Sequence, residues 1–143
     1  MKKNVRSAVA LILVLLLALS FSACGKKEST PPELWDSAAY KADTELGEGN
    51  RTVSVAVKAE NKTVTFTIHT DAETVGTALL DQNLISGEAG AYGMYIKSAN
   101  GITADYDIDQ SYWAFYINGE YATAGVDATE ITEGAEYQLV YSK

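Results

Sequence analysis

Cysteine and histidine are nearly absent: Cys24 and His69 stand alone in 143 residues. A single cysteine leaves no internal disulfide, so packing must hold the fold. The same scarcity removes the histidine and cysteine sets that hold structural zinc, and leaves one imidazole as the only ordinary general base. No Gly-rich phosphate loop or nucleophile elbow appears either, which argues against an enzyme. Basic residues are few, 11 against 19 acidic, and that balance disfavours nucleic acid, itself a polyanion. Long apolar runs are also lacking. The one run present, Ala8 to Leu19, is shorter than the ~20 residues of a membrane helix.

What surrounds that run has the layout of an export signal: Lys2, Lys3 and Arg6 precede it and small residues follow. Phe21-Ser22-Ala23-Cys24 resembles the bacterial lipoprotein signal, whose pattern is Leu, two small residues and Cys, with Phe21 in place of the Leu. The resemblance implies that residues 1–23 are a removed signal peptide and that the Cys24 thiol carries a diacylglyceryl group. It also implies lipid anchoring at the extracytoplasmic face of the bacterial cell membrane. The plainer alternatives are an ordinary secretory signal with a chance cysteine, or an uncleaved anchor. Without Lys2, Lys3 and Arg6, eight basic residues face 19 acidic ones, a net charge of about −11. Lys26 and Lys27, beside the anchor, are placed to touch headgroups.

Residues 24–51 read as the lipidated cysteine, a polar tether through Ser29-Thr30-Pro31-Pro32, and an N-terminal extension. Trp35, Ala38, Ala39 and Leu46 leave open whether 34–50 pack on the domain that follows. From Thr52 the pattern has period two. Val53, Val55, Val57 and Ala59 alternate with polar or small residues, as do Val64, Phe66 and Ile68, with a turn at Glu60-Asn61-Lys62. Thr74 is placed to cap a short helix carrying Val75, Ala78 and Leu79 on one face and ending near Asn83. Asn100-Gly101 predicts a hairpin joining Met94–Ala99 to Ile102–Asp107, and Asn118-Gly119 one joining Tyr112–Ile117 to Glu120–Ala124. Tyr137–Ser142, apolar on both faces around Leu139, Val140 and Tyr141, predicts an interior strand. Hairpin, helix, then more strands is the order of an α+β, β-grasp-like (ubiquitin-like) mixed sheet over residues 52–143, with one short helix and no disulfide.

Three groups are candidates for chemistry. His69 is the one possible base or ligand, yet the alternation puts it on the Thr63, Thr65 and Thr67 face, away from the core. Asp105, Asp107 and Asp109 invite calcium, but an EF-hand loop counted from Asp105 has Gln110 where Gly is needed and Tyr116 where the final acid belongs. The alternation of Ile102, Ala104, Tyr106 and Ile108 instead predicts carboxylates coating the outer face of a strand. The third group is aromatic. Tyr112, Ala114 and Tyr116 fall on one strand face and Trp113, Phe115 and Ile117 on the other, and only one of these faces can lie under the helix. The other is left for the Trp35 segment or an external ligand, and tyrosines grip flat organic molecules well.

At this stretch the chain resembles bacterial domains of unknown function that are similar to the C-terminal β-domain of transcobalamin and intrinsic factor. The residues carrying the resemblance are 73–80, 90–96 (Gly-Ala-Tyr-Gly-Met-Tyr-Ile), 100–106, 112–119 (Tyr-Trp-Ala-Phe-Tyr-Ile-Asn-Gly) and Gly125-Val126-Asp127. The Tyr-Trp strand and the Gly-Val turn are the most specific part. The resemblance implies a β-grasp-like fold and contact with cobalamin or another corrinoid through Tyr112, Trp113, Tyr116, Gly125 and Val126. Gly125 would let backbone approach a ring plane and the aromatics would cover its rim. The carriers' helical domain has no counterpart in these residues. Two functions follow as expectations. One is a membrane-anchored ligand-binding lipoprotein that needs no cofactor of its own and passes a corrinoid to an importer. The other is a non-enzymatic surface module that docks another exported protein.

Overall fold

The computed structural model describes residues 33–143, and within them the strands form two sheets. The larger contains β1 (Thr44–Gly47), β2 (Arg51–Ala59), β3 (Lys62–Thr70), β7 (Tyr112–Ile117), β8 (Glu120–Tyr121) and β9 (Glu136–Ser142), ordered β1-β3-β2-β9-β7-β8. The smaller is β4 (Ile85–Gly90), β5 (Gly93–Ala99) and β6 (Ile102–Thr103), in that order. One main helix, α1 (Val75–Asp81), and a helical turn, α2 (Tyr106–Asp109), complete the set with 3-10 turns at Leu34–Ser37 and Val126–Ala128. The fold is mixed α+β, mostly strand, without a disulfide. The expected signal peptide and Cys24 lie outside the described residues.

Register explains the core. Antiparallel pairing sets Val53, Val55 and Val57 opposite Ile68, Phe66 and Val64. β9 then runs parallel to β2, placing Tyr137 and Leu139 beside Val55 and Val57, and antiparallel β7 adds Ile117 and Phe115 to the same rows. Interior placement of β9 matches its two-sided apolar pattern. Large side chains on this face are almost all fully buried, each stabilising by roughly 1.5–3 kcal/mol. α1 joins them as its sequence predicts: the Thr74 hydroxyl accepts from the Thr77 N–H at 3.2 Å, and Val75, Ala78 and Leu79 are buried. Gly76 lets the Val126–Ala128 turn press on the helix, since a Cβ there would come within 2.8 Å of the Asp127 backbone.

Residues 34–50, left open by the sequence, pack on this core. Trp35 is 6% exposed and its Nε1–H donates to the Ala59 carbonyl at 3.0 Å. Tyr40 sets its ring edge on Phe66 at 5.5 Å, and β1 adds a parallel strand outside β3. Phe66 belongs to the core face, so this segment does not cover the Tyr112 and Tyr116 face.

Both Asn-Gly turns form with positive φ at each residue, 50° and 78° for Asn100-Gly101 and 51° and 81° for Asn118-Gly119. Their second strands are shorter than expected. β6 ends at Thr103, and the Asp105 carboxylate accepts from the Asp107 N–H at 3.0 Å, starting α2 in place of a continued strand. Ile102 and Ala104 are buried as the alternation requires, but Tyr106 and Ile108 are 57% and 82% exposed. Asp107 and Asp109 therefore lie on a helical turn that Asp105 caps, not on a strand face. Similarly, β8 stops at Tyr121 and not Ala124.

Candidate functional site

Beyond β8 the chain leaves the large sheet and runs back toward β5. Ala122 still donates to the Phe115 carbonyl at 2.9 Å, after which residues 122–126 cross to the Tyr92 turn, where the Gly125 N–H donates to the Tyr92 carbonyl at 2.9 Å. A cavity of about 340 Å³ remains between β5, β7 and this crossing segment. Tyr112, Trp113, Gly125 and Val126 all line it, joined by Tyr92, Met94, Tyr95, Phe115 and Tyr121. Four of the five residues singled out from the sequence thus share one cavity.

Their roles differ. Trp113 is fixed by its Nε1–H, which donates to the Ile102 carbonyl at 3.1 Å, and by Tyr141 edge-on at 5.6 Å, so the ring forms wall and not floor rubble that could swing. Phe115 is backed by Tyr137, stacked at 6.1 Å. Val126 is buried and closes the inner end. Gly125 has a packing reason of its own. A Cβ at 125 would sit 2.8 Å from the Met94 nitrogen and 3.0 Å from the Gly93 Cα, while the Asp127 carboxylate holds the Met94 N–H at 2.7 Å. The glycine therefore serves approach of two chain segments. Tyr116 is not in the cavity lining; its ring meets that of the lining residue Tyr121 edge-on at 5.3 Å.

Tyr92, Met94 and Tyr95 join the cavity without being among the site residues that the sequence predicts. Gly90-Ala91-Tyr92-Gly93 carried the signal: aromatic residues between glycines mark a turn able to close against a second glycine turn, here at Gly125.

His69 and Asp109 are tied up structurally. His69 faces away from the core, as expected, with Nε2 2.5 Å from Glu45 Oε1 and Nδ1 3.2 Å from Thr52 Oγ1, linking β1, β3 and β2. Asp109 pairs with Lys143 at 2.6 Å and accepts from the Ser111 hydroxyl. Those contacts, Lys143 first, hold its carboxyl down from 3.8 to about 2. Among the described residues no three of His, Cys, Asp and Glu converge as a metal site, and no helix is long and apolar enough to cross a membrane.

Fold and site define a class: a small two-sheet α+β domain with an aromatic-walled cavity at the junction of its sheets. Residues 72–143, just over half of the chain, match the family described as a domain of unknown function (DUF4430), and the chain belongs to that family. Two solved structures are similar. A candidate metal-binding protein from Ruminococcus gnavus is 29% identical, with a TM-score of 0.61, over 66% of this chain and 98% of that one. Haptocorrin in complex with Cbi is 20% identical, with a TM-score of 0.51, over 65% of this chain and 25% of the haptocorrin chain. The haptocorrin likeness bears on the fold alone. No curated protein matches the chain.

Proposed function

We propose that this chain is an exported lipoprotein, anchored through Cys24, whose domain binds a small flat ligand, a corrinoid such as cobalamin, and hands it to an importer. The observation that carries this reading is the convergence of Tyr112, Trp113, Gly125 and Val126 on one cavity. A volume of about 340 Å³ falls at the low end of ligand pockets, so the cavity accepts the apolar edge of a corrinoid and leaves most of the ring to a second surface. The haptocorrin structure, similar in fold, holds Cbi, and the proposal carries that ligand class over to the present domain. The strand order supports a β-grasp, since a first hairpin (β2, β3), a helix, and a last strand parallel to the first at the sheet centre are its elements. An enzyme is disfavoured because His69 has both ring nitrogens engaged. Metal binding, named for the Ruminococcus gnavus protein, gains no ligand set from the described residues.

Titration of the purified chain with cobalamin tests the proposal. A shift of the corrin absorption bands and a binding heat at concentrations on the order of tens of micromolar are expected. An unchanged spectrum without heat sinks it.

One observation favours docking of another exported protein as a second reading. β4 is an edge strand whose residues after Ile85 are all exposed, which leaves a backbone edge open for strand addition. Recovery of one specific partner from a membrane extract, lost when Pro replaces Ala89, is the result expected of it.

A further inference from the structure

Beside the cavity, on its solvent side, runs a shallower groove of about 630 Å³ lined by Tyr95, Lys97, Tyr106, Asp107, Tyr112 and Tyr121. Four of these six are tyrosines, and each ring presents an electron-rich face that attracts cations. One face already holds a cation: Lys97 Nζ lies 4.8 Å above the Tyr95 centroid. Lys97 is itself neutralised by Glu88 at 3.3 Å, and Asp105 also acts on it electrostatically. Asp107 adds a further carboxylate to the lining, on a chain whose formal charge is −8. An anionic ligand meets repulsion here. A flat neutral one gains nothing from the acids.

We propose that this groove binds a small organic cation, a quaternary or alkylated ammonium group, seated against Tyr106, Tyr112 and Tyr121 with Asp107 as its counter-charge. Such a cation sheds water cheaply because its charge is spread over methyl groups, so ring faces replace its hydration better than they replace that of a primary ammonium. Lys97 marks the geometry and competes with the ligand for Tyr95. The groove adjoins the cavity and shares Tyr95, Tyr112 and Tyr121 with it, while Tyr106, Lys97 and Asp107 line the groove alone and distinguish the two sites.

Choline chloride is the probe, with its uncharged carbon isostere, dimethylbutanol, as control, each titrated into the full chain and followed through the tyrosine ring resonances. Choline is expected to bind with a dissociation constant on the order of 1 mM, at least about fivefold tighter than the isostere, and to weaken as salt is raised. Tyr106→Ala, at an exposed position where the fold has little to lose, is expected to cost about two- to fivefold and to leave cobalamin binding unchanged. Lys97→Gln is expected to tighten choline by about twofold or more, since it removes the competitor. A short-chain phosphatidylcholine titrated at equal ammonium concentration separates a lipid headgroup from a free solute, and stronger shifts with either one support the site. Equal binding of choline and dimethylbutanol overturns the proposal, as does no shift with any probe, or choline binding indifferent to Tyr106→Ala.

Discussion

Asn100 shows how much one residue can tie together when its backbone turns left-handed. Its N–H donates to Leu84, its carbonyl accepts from Ala39, and its side chain accepts from the Tyr40 N–H and donates to the Tyr40 carbonyl. At 1% exposure none of these partners is replaced easily by water. Asn100→Ala is expected to cost about 2–4 kcal/mol in urea denaturation, because it unpairs Tyr40 and puts a Cβ-bearing residue without a local hydrogen bond at φ 50°. Asn100→Gly keeps the turn and isolates the lost side-chain bonds. At Gly125, Ala is expected to destabilise by about 1–3 kcal/mol and to push residues 122–126 off β5, a change visible in the Met94 amide resonance. Asp109 contributes to acid behaviour. Its carboxyl titrates lower in the fold than in the unfolded chain, so the stabilisation is full above about 3.8 and disappears as pH falls through about 2. Carboxyl resonances should show that midpoint, and Lys143→Gln should move it upward.

Among the elements, those with side chains on a regular period were legible in the sequence. Val53 to Ile68 declared both strands and their inward faces, Thr74 declared the helix start, and the two-sided apolar run declared the interior position of β9. The rest depended on partners that no local pattern contains. β4 reads Ile-Ser-Gly-Glu-Ala-Gly and is a strand only because β5 supplies its ladder; β1 is four residues long and forms by parallel pairing to β3. Tyr106 and Ile108 alternated convincingly, yet the Asp105 cap turned the chain into a helical turn and left both exposed. Four site residues were legible only through the resemblance that the Tyr-Trp strand and the Gly-Val turn carry; Tyr92 and Tyr95 needed the crossing of residues 122–126. The Leu34–Ser37 turn is an element in its own right. Trp35→Ala is expected to lower stability by about 3–5 kcal/mol in thermal or denaturant melts, and an unmoved midpoint would mean the segment is mere tether.

For the whole molecule, position and shape are separable. Cys24→Ser is expected to shift the chain from the membrane fraction to the soluble one while leaving its far-ultraviolet dichroism and melting unchanged, because no described core residue lies ahead of Leu34. Loss of folding in that variant would contradict the role given to the cysteine. The sheet also sets a timetable. β2 and β9 are neighbours at its centre although one spans residues 51–59 and the other 136–142. A chain delivered amino end first can close the β2–β3 hairpin early, but its two halves stay unjoined until residues 136–142 arrive. The sheet centre cannot form before then, so a nascent chain lacks its central seam for the 76 residues between the two strands.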